Sequence, residues 1–517
     1  MFKKLFNAVI LLIVLTTTSF AQTKEFSNLM KYRLSGSGPI LDNDNLLGYY
    51  AFYLVDKADR KTDAYVLQLM DDNLNVVKAV DILRPNGDYL VETVFNGSAF
   101  VIVFFNQKKG IEFLSYDKSG KLLGSFLESD PAKWEEYRIN AARMDDEAVA
   151  NSSVFPIGNG GFVRQSYTKN DKYGYTLTGL DNKMKVVWKA GSPENSEMIE
   201  SADILYASEK FISIVISRRK NKMSRDLDTF LALIDAKTGK VIFEKPAKDD
   251  QEMSILNVFM NPEETELYTF GEYWPKGAEM LKDKSEGIVA FNFDLTGAEQ
   301  IKKKYSWLGD LNKILKSSDN TVADTKDKVR SFFHRVHMDK SGNILAIGEQ
   351  YLKVVSGLGI ASRALGGGGS TMQINILNMV AVELGKDLSL KSFSTFAKKK
   401  TTAHLPPGYG AVNSTILAAY VKLTGGFDYE FATFDKTRDL FATVYRDYDR
   451  KGDDGKKADV MFGVIKFEDG KLSSNKTPLN ITSSRFWLQP AKPGYITVVE
   501  YFKKKKTLSF RMEKIVY

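Results

Sequence analysis

The chain has 517 residues, 43% of them hydrophobic and 26% charged, and its 72 basic residues stand against 64 acidic ones. This is the composition of a folded protein, and so small a charge excess does not indicate a nucleic-acid-binding surface. No cysteine occurs anywhere, which excludes disulfides and a lipid-modified N-terminal cysteine.

The first 21 residues have the three parts of a secretory signal peptide. A positive head with two lysines precedes an almost unbroken apolar run over residues 5–15, and small residues occupy the −3 and −1 positions of a cleavage site. The run is shorter than the roughly 20 residues that span a bilayer. We therefore predict cleavage between Ala21 and Gln22 and export to the periplasm or outer-membrane periphery, with a retained anchor helix as the alternative. No transmembrane segment is predicted in the body.

Short segments rich in aromatic and β-branched residues follow the leader, as is typical of strands. The clearest are 48–55, 99–105 and 211–216. No Pro- or Ser-rich linker divides the chain, which favours one large closed architecture over several separate domains.

A hairpin pattern recurs seven times: an apolar strand, a polar turn with an acidic residue and usually a glycine, and a second strand. An Asp side chain caps such a turn, and the glycine takes its positive-φ position. Four copies are clear and three are weaker: 113–123, 231–242, 289–297 and 464–472, then 69–74, 180–184 and 382–386.

The early spacing of these hairpins is near that of propeller blades, about 40–50 residues. Sheets arranged radially cover one another, which a single sheet cannot achieve alone. We predict an all-β fold with a single β-propeller over 22–517. Seven blades are the first choice, with six or eight as alternatives, and a β-sandwich array or two smaller propellers would show similar hairpins.

The turn Asp-x-x-Gly-Lys, as at 117–121, resembles the outer hairpin turns of pyrroloquinoline-quinone-like and related propeller repeats. This resemblance implies a propeller architecture, but it assigns a functional role to no residue. The overall make-up is similar to that of uncharacterised envelope proteins of Bacteroidota.

Three insertions interrupt the strands, near 130–146, 307–330 and 357–371. Asp130-Pro131 followed by acidic residues predicts a helix start, and the second insertion has apolar residues at helical spacing. The third contains four consecutive glycines, which predicts a mobile loop tip. Insertions on one face of a propeller are natural binding elements. The segments 495–502 and 508–517 are predicted to close the ring.

No catalytic set is visible in the sequence. His334 and His337 would point to opposite faces of a strand, and no third zinc ligand accompanies them. His404 is predicted to be a surface histidine in a loop. Neither a Gly-x-Ser-x-Gly elbow nor a phosphate-binding loop occurs.

Acidic clusters are the remaining candidate for a metal site. Asp447, Asp449, Asp453 and Asp454 lie within nine residues, a density that calcium loops use. Their order does not match known calcium-ligand spacing, so we favour a solvated hairpin tip over a calcium site. The stretch 42–45 is similar and equally incomplete.

Lysine runs at 302–304, 398–400 and 503–506 are predicted to be solvated strand ends and turns, which resist edge-to-edge pairing. Contact with anionic headgroups or acidic glycans is the alternative.

Taken together, these features favour an exported non-enzymatic binding or scaffolding propeller that contacts an envelope protein or an outer-membrane complex. No nucleic-acid partner is expected, and the sequence leaves the oligomeric state open. The alternative is an envelope hydrolase or lyase that acts on glycan or peptide, with carboxylates gathered at the central channel.

Overall fold

The computed structural model describes residues 22–33, 36–42, 45–144, 153–168, 174–193, 196–221, 224, 226–316, 329–357, 370–406, 409, 412–435, 437–449 and 459–515. Within these residues the chain is built mainly of β-strands, 34 in all, with two helices of ten residues or more.

The strands form eight sheets, each with four antiparallel strands as its core. First strands contact each other in seven of the eight neighbouring pairs of sheets, and the two sheets of the eighth pair share a buried core cluster. This is the arrangement of a β-propeller, in which each blade covers its neighbours and only short edges remain. We number the blades 1 to 8 and label their strands A, the innermost, to D, the outermost.

The first described strand, β1 (Thr23–Phe26), belongs to blade 8. Blade 1 contains β2 (Ser37–Asp42), β3 (Asn45–Lys57), β4 (Thr62–Asp71) and β5 (Val76–Pro85). Blade 2 contains β6 (Tyr89–Phe95), β7 (Ala99–Asn106), β8 (Gly110–Asp117) and β9 (Leu122–Glu128). Blade 3 contains β10 (Val154–Pro156), β11 (Phe162–Tyr167), β12 (Tyr175–Leu180) and β13 (Val186–Gly191). Blade 4 contains β14 (Ile199–Ala207), β15 (Phe211–Arg219), β16 (Asp228–Asp235) and β17 (Val241–Pro246).

Blade 5 contains β18 (Met253–Met260), β19 (Glu266–Tyr273), β20 (Gly287–Asp294) and β21 (Glu299–Ser306). Blade 6 is enlarged and contains β22 (Leu315–Lys316), β23 (Arg330–Met338), β24 (Ile344–Val355), β25 (Met372–Leu384), β26 (Leu390–Phe396) and β27 (Thr401–His404). Blade 7 contains β28 (Tyr429–Asp435), β29 (Leu440–Asp449), β30 (Asp459–Glu468) and β31 (Lys471–Pro478). Blade 8 contains β32 (Phe486–Pro490), β33 (Tyr495–Phe502), β34 (Thr507–Lys514) and β1.

Blade 8 closes the ring by joining both ends of the described chain. Its outer strand β1 pairs antiparallel with β34, from Thr23 opposite Arg511 to Phe26 opposite Leu508. The prediction that the segments 495–502 and 508–517 provide the closing strands is confirmed by β33 and β34.

The prediction of an all-β propeller is confirmed, but seven blades as the first choice is wrong, because the ring has eight. Each hairpin counted in the sequence joins strands C and D of one of blades 1 to 7. In blade 8 strand D comes from the other end of the chain. This blade therefore has no C–D hairpin, and counting hairpins in the sequence does not find it.

Burial explains why the middle strands read as continuous apolar runs. In β7 every residue from Ala99 to Phe105 is buried, because neighbouring blades cover both faces of the sheet. In the outer strand β9 no residue is fully buried. Full burial of one Phe or Leu side chain contributes about 1.5–3 kcal/mol, so the middle strands supply most of the hydrophobic stabilisation.

The predicted turn chemistry is confirmed at the C–D hairpins. Asp117 Oδ1 accepts hydrogen bonds from the backbone N–H groups of Ser119 and Lys121 at 2.8 and 2.9 Å, and Gly120 has φ of 79°. These donors, led by Ser119, lower the pKa of the Asp117 carboxyl. In the three weaker copies a buried apolar residue takes the left-handed position instead: Leu74, Met184 and Leu388.

Strand direction divides the connections between two faces. In each blade, strands A and C start at one end of the sheet, and strands B and D end there. The B–C loops and the connections between blades therefore share one face, which we name the upper face, while the A–B and C–D turns share the lower face. The connections between blades carry the helical elements: α1 (Lys133–Met144), a π-helical turn (Trp307–Leu311) with a further helical turn (Asn312–Ile314), and α2 (Ser414–Leu423).

Local sequence sets the ends of the helices. The Asn413 side chain caps α2 by accepting a hydrogen bond from the backbone N–H of Ile416 at 2.9 Å, and Gly425 with φ of 66° follows its end. The helix predicted near Asp130 is confirmed as α1, although it starts only at Lys133. In the described part of the second insertion, residues 307–316, helix is limited to the two short helical turns, and most of the third insertion lies outside the described residues. None of the helices in the described part of the chain is long and apolar enough to span a bilayer.

Ring closure can be tested by removing strand β34. Deletion of residues 508–517 should abolish cooperative unfolding, because it exposes the inner faces of blades 8 and 1. Phe510 is completely buried, so Phe510→Ala should lower the free energy of unfolding by about 3–5 kcal/mol. Glu25→Ala, an exposed control on the neighbouring strand, should stay within about 0.5 kcal/mol of wild type in denaturant titrations. A truncated protein that unfolds like the full chain would refute closure through β34.

Candidate functional site

A cavity of about 250 Å³ opens on the upper face between blades 1 and 2. Its walls come from three places: the connection into blade 1, the B–C hairpin of that blade and the connection to blade 2. The first of these is fixed by backbone hydrogen bonds between Lys31 and Leu54. At Gly87, with φ of 99°, a side chain would meet no atom within 4 Å, so the backbone borders open space. The polar lining residues are Lys31, Arg33, Lys57, Asp63, Asn86 and Asp88.

The charged groups of this cavity differ in how they are held. Asp88 is fixed by Arg84 Nε at 2.9 Å and by Asn106 Nδ2 at 2.7 Å. Asp63 is 7% exposed, and burial raises the pKa of its carboxyl, with Lys57 opposing the rise. The Arg33 guanidinium lies over the Tyr89 ring, 4.2 Å from its centroid. The cavity thus presents a guanidinium and a carboxyl in a sheltered position, with two exposed lysines at its mouth.

Exposed apolar side chains on the insertions are the second feature of the upper face. Trp134 and Tyr137 of α1 are 50% and 64% exposed, and their rings stack with centroids 5.7 Å apart. Ile139 of the same helix is buried in the core cluster between blades 2 and 3. Four further large apolar residues are exposed in connections or at a strand end on this face: Met30, Leu308, Val355 and Leu423.

The helix α2 covers a buried carboxyl group on blade 5. Glu272 in β19 is completely buried, and its Oε2 accepts a hydrogen bond from the Thr415 hydroxyl at 3.1 Å. Burial raises the pKa of Glu272 to about 7, against hydrogen bonds from Ser285 and Thr415. Asn413 anchors the same helix end to blade 5 by donating to the Asp283 carbonyl at 3.2 Å.

A second buried charge cluster lies between blades 6 and 7. Lys398 Nζ is 2.5 Å from Asp428 Oδ2 and 3.3 Å from Glu349 Oε2, and the Lys398 and Glu349 side chains have no solvent exposure. Glu349 Oε1 accepts a hydrogen bond from the backbone N–H of Tyr429 at 2.7 Å. His334 Nε2 lies 3.3 Å from the same oxygen.

The surroundings of this cluster set the protonation of its members. Burial lowers the pKa of His334 to about 4, so the ring is neutral, and it stacks on Tyr429 at 4.7 Å. Burial alone would raise the pKa of Glu349, but Lys398 and the donors around it hold that pKa below its ordinary value. Burial raises the pKa of Asp428 despite Lys398.

Neither the buried Glu272 nor the cluster around Lys398 was predicted from the sequence, although the sequence pattern contains a sign of both. In three B strands a glutamate interrupts an otherwise apolar run, at Glu272, Glu349 and Glu500. A charged residue inside a buried strand must be paired or hydrogen-bonded, so it marks a special environment.

Most carboxylates of the described innermost strands have partners. Glu92 accepts hydrogen bonds from the Ser153 backbone N–H and hydroxyl at 3.0 and 2.6 Å, and Glu200 pairs with Arg218 Nε at 2.9 Å. Glu430 pairs with Arg446. Asp203 is exposed to solvent.

The acidic cluster on blade 7 is only partly described. Asp447 Oδ1 accepts hydrogen bonds from the backbone N–H groups of Lys399 and Tyr448, both at 2.8 Å, and its other oxygen lies 2.6 Å from Lys476 Nζ. Asp449 is exposed at the end of β29. Asp453 and Asp454 lie outside the described residues, so the choice between a solvated hairpin tip and a calcium site is still a prediction. Across the described ranges no three His, Asp or Glu side chains are grouped to hold a metal.

The remaining histidines occupy different environments. His337 stacks on Phe441 at 4.7 Å, and burial lowers its pKa to about 4. His404 is exposed as expected, but it lies in strand β27 rather than in a loop.

The lysine runs are only partly solvated. Lys302 and Lys304 pair with Asp249 at 3.2 and 2.9 Å. The prediction of a solvated run at 398–400 is wrong for Lys398, whose side chain is completely buried.

Comparisons with known proteins add little beyond the fold. The sequence matches a family of unknown function, DUF6770, over residues 1–516. No curated protein matches it. Among solved structures it is similar to the WD40 domain of SCAP from fission yeast, with 8% identity, a TM-score of 0.34 and coverage of 95% of this chain and 98% of that one. It is also similar to the polysaccharide lyase Uly1, with 11% identity, a TM-score of 0.34 and coverage of 97% and 94%. At these scores the blade assignment rests on the strand pairing itself, and the resemblance to pyrroloquinoline-quinone-like blades and to Bacteroidota envelope proteins stays a prediction.

The buried Glu272 should make stability depend on pH. Because folding raises its pKa from 4.5 to about 7, its stabilising contribution is complete below about pH 4.5 and is lost as the pH rises through 7. Relative to Glu272→Gln, the free energy of unfolding of wild type should fall over this window by at most about 1.4 kcal/mol per pH unit. Denaturant titrations across the pH range measure this difference. The control Glu286→Gln, at an exposed position of the same blade, should follow wild type. Parallel profiles for wild type and Glu272→Gln would contradict the assignment.

Proposed function

The chain belongs to this family of unknown function, and we propose from its geometry that it is an exported, non-enzymatic binding or scaffolding propeller of the cell envelope. The observation that carries this proposal is the contrast between the two faces of the ring. Helices and long connections stand on the upper face, whereas the C–D turns of the lower face are short and closed by Asp side chains.

The upper face has the chemistry of a protein-binding surface. Trp134 and Tyr137 offer large rings at little conformational cost, and such residues dominate the energetics of interfaces. The cavity on the same face is polar and sheltered, with Arg33 and Asp63 in its walls. A partner can therefore place a charged or polar side chain in the cavity while apolar residues of its surface cover the aromatic pair.

The compartment of the partner follows from the leader. A chain exported by cleavage after Ala21 meets proteins of the envelope, so an envelope protein or an outer-membrane complex is the partner that fits this proposal. The enzymatic alternative has weaker support, because on the described innermost strands Glu92, Glu200 and Glu430 are held by neighbouring groups, and Asp203 alone of the four carboxylates named above is exposed. A hydrolase of glycans would need two carboxyl groups free to act on one bond.

Site-specific photo-crosslinking in the source cells tests the binding face. A photoreactive residue at Tyr137 should form a discrete covalent adduct with an envelope protein, and Trp134→Ser in the same chain should weaken it. Val77 is the matched control, because it is apolar and 69% exposed but lies on an outer strand. Equal adducts at positions 77 and 137, or none at either, would contradict binding through the upper face.

Export has a separate test. The mature protein should be found outside the cytoplasm with Gln22 as its first residue, as judged by cell fractionation and N-terminal peptide mapping. Ala21→Arg should block cleavage and leave a longer precursor, because the position before the cut requires a small residue. Lys24→Ala is the control and should be processed normally. A cytoplasmic chain that keeps Met1 would refute export.

A further inference from the structure

Three groups with complementary chemistry meet in the buried cluster between blades 6 and 7. Lys398 follows the outer strand of blade 6, Asp428 precedes the innermost strand of blade 7, and Glu349 lies in β24. Lys398 Nζ is 2.5 Å from Asp428 Oδ2, an oxygen bonded directly to the carbon that an amine would attack. Glu349 Oε2 lies 3.3 Å from the same nitrogen, within reach of its protons.

The environment separates this group from an ordinary ion pair. Solvent exposure is zero for the side chains of Lys398 and Glu349 and 9% for that of Asp428. The chain neighbours of Asp428 are Phe427 and Tyr429, whose rings pack against His334 at 4.8 and 4.7 Å. Water is a product of amide formation, so its exclusion favours condensation over hydrolysis.

The charge balance also fits a reacting set. Two carboxyl groups lie beside the Lys398 ammonium group, Lys422 adds a second positive charge near Glu349, and His334 is neutral because burial lowers its pKa to about 4. Burial raises the pKa of Asp428, whereas Lys398 and nearby donors hold that of Glu349 down. These directions favour the acid form of Asp428 and the carboxylate form of Glu349, opposite the Lys398 ammonium group. Transfer of one proton from Lys398 to Glu349 leaves a neutral amine against a neutral acid.

We propose that Lys398 and Asp428 condense to an intramolecular amide, an isopeptide cross-link between blades 6 and 7, with Glu349 as the base. Glu349 accepts a proton from the Lys398 ammonium group, and the amine attacks Cγ of Asp428. The Nζ–Cγ bond forms, one Cγ–O bond breaks, and the leaving hydroxyl takes the proton that the attacking nitrogen gives up and departs as water. Glu349 ends protonated, and no oxidant, cofactor or other reactant is consumed.

Position and chemistry explain what the cross-link does for the fold. It closes the segment 398–428, which carries β27 and α2 and forms the largest described insertion on the upper face. The sequence has no cysteine, so no disulfide can fix this segment. An amide between Lys398 and Asp428 also removes the buried ammonium group, whose burial is costly even when it is paired.

Lys476 and Asp447 provide an internal control. They form a second lysine–aspartate contact on blade 7, at 2.6 Å, but Lys476 is 36% exposed and water reaches it. In the described part of the chain, the other lysine ion pairs are likewise at least partly exposed on the lysine side. The proposal therefore predicts an amide at Lys398 and none at Lys476.

Mass spectrometry of the full chain, purified and denatured, tests the cross-link. The chain should be lighter than its sequence by one water molecule. A tryptic digest should contain a branched peptide that joins residues 392–399 to residues 423–436. This peptide distinguishes the amide from cyclisation of an N-terminal glutamine, which removes ammonia from a different part of the chain.

Two variants separate cross-linking from folding. Glu349→Gln keeps the size of the side chain but removes the base, so the branched peptide should be lost or strongly reduced. Lys476→Met should keep the branched peptide at wild-type yield. Linear peptides 392–398 and 423–436 in digests of folded wild-type protein, with no water lost, would overturn the proposal and leave a buried ion pair. A wild-type yield of branched peptide in Glu349→Gln would overturn the role of Glu349.

Discussion

The antiparallel pairing of β1 with β34 is the contact on which the ring depends. A blade is apolar on both faces of its middle strands, so each blade needs two neighbours, and only a closed ring gives every blade both. At the seam between blades 8 and 1, residues from both ends of the chain share one core cluster, including Phe26, Tyr49 and Phe510. The Tyr49 hydroxyl lies 2.6 Å from that of Thr497 across the same seam.

Buried carboxylates fix where several blades begin. Glu92 accepts a hydrogen bond from the Ser153 backbone N–H, Glu349 from that of Tyr429 and Glu500 from that of Ser483, at 3.0, 2.7 and 2.9 Å. Hydrogen bonds to charged groups contribute about 1.5–3 kcal/mol each, and loss of the partner leaves a buried charge unsatisfied. Each contact joins a buried side chain of one strand to the backbone at the start of an innermost strand. It therefore holds the start of that blade in a fixed position.

The sequence was informative where the physics is local. Turns with Asp and Gly, such as 117–121 and 235–240, revealed the hairpins, because a left-handed position favours glycine. Copies with Leu74, Met184 or Leu388 at that position gave weaker signals, since a buried apolar residue stands there in place of glycine. The eighth blade escaped because its outer strand is distant in sequence. Burial of Lys398 was missed for the same reason, because the groups that surround it come from three separate segments.

The composite blade 8 also sets the order in which the protein can be completed. β1 leaves the ribosome first among the described strands, and its partner β34 leaves last. The ring therefore stays open until the last strand has reached the compartment in which the chain folds. During that time the apolar face that blade 1 turns towards blade 8 has no cover, and β1 has no strand beside it. A chain that stops short of β34 cannot form blade 8. Such a chain keeps an apolar face exposed to chaperones and proteases, so only the complete chain is protected from them.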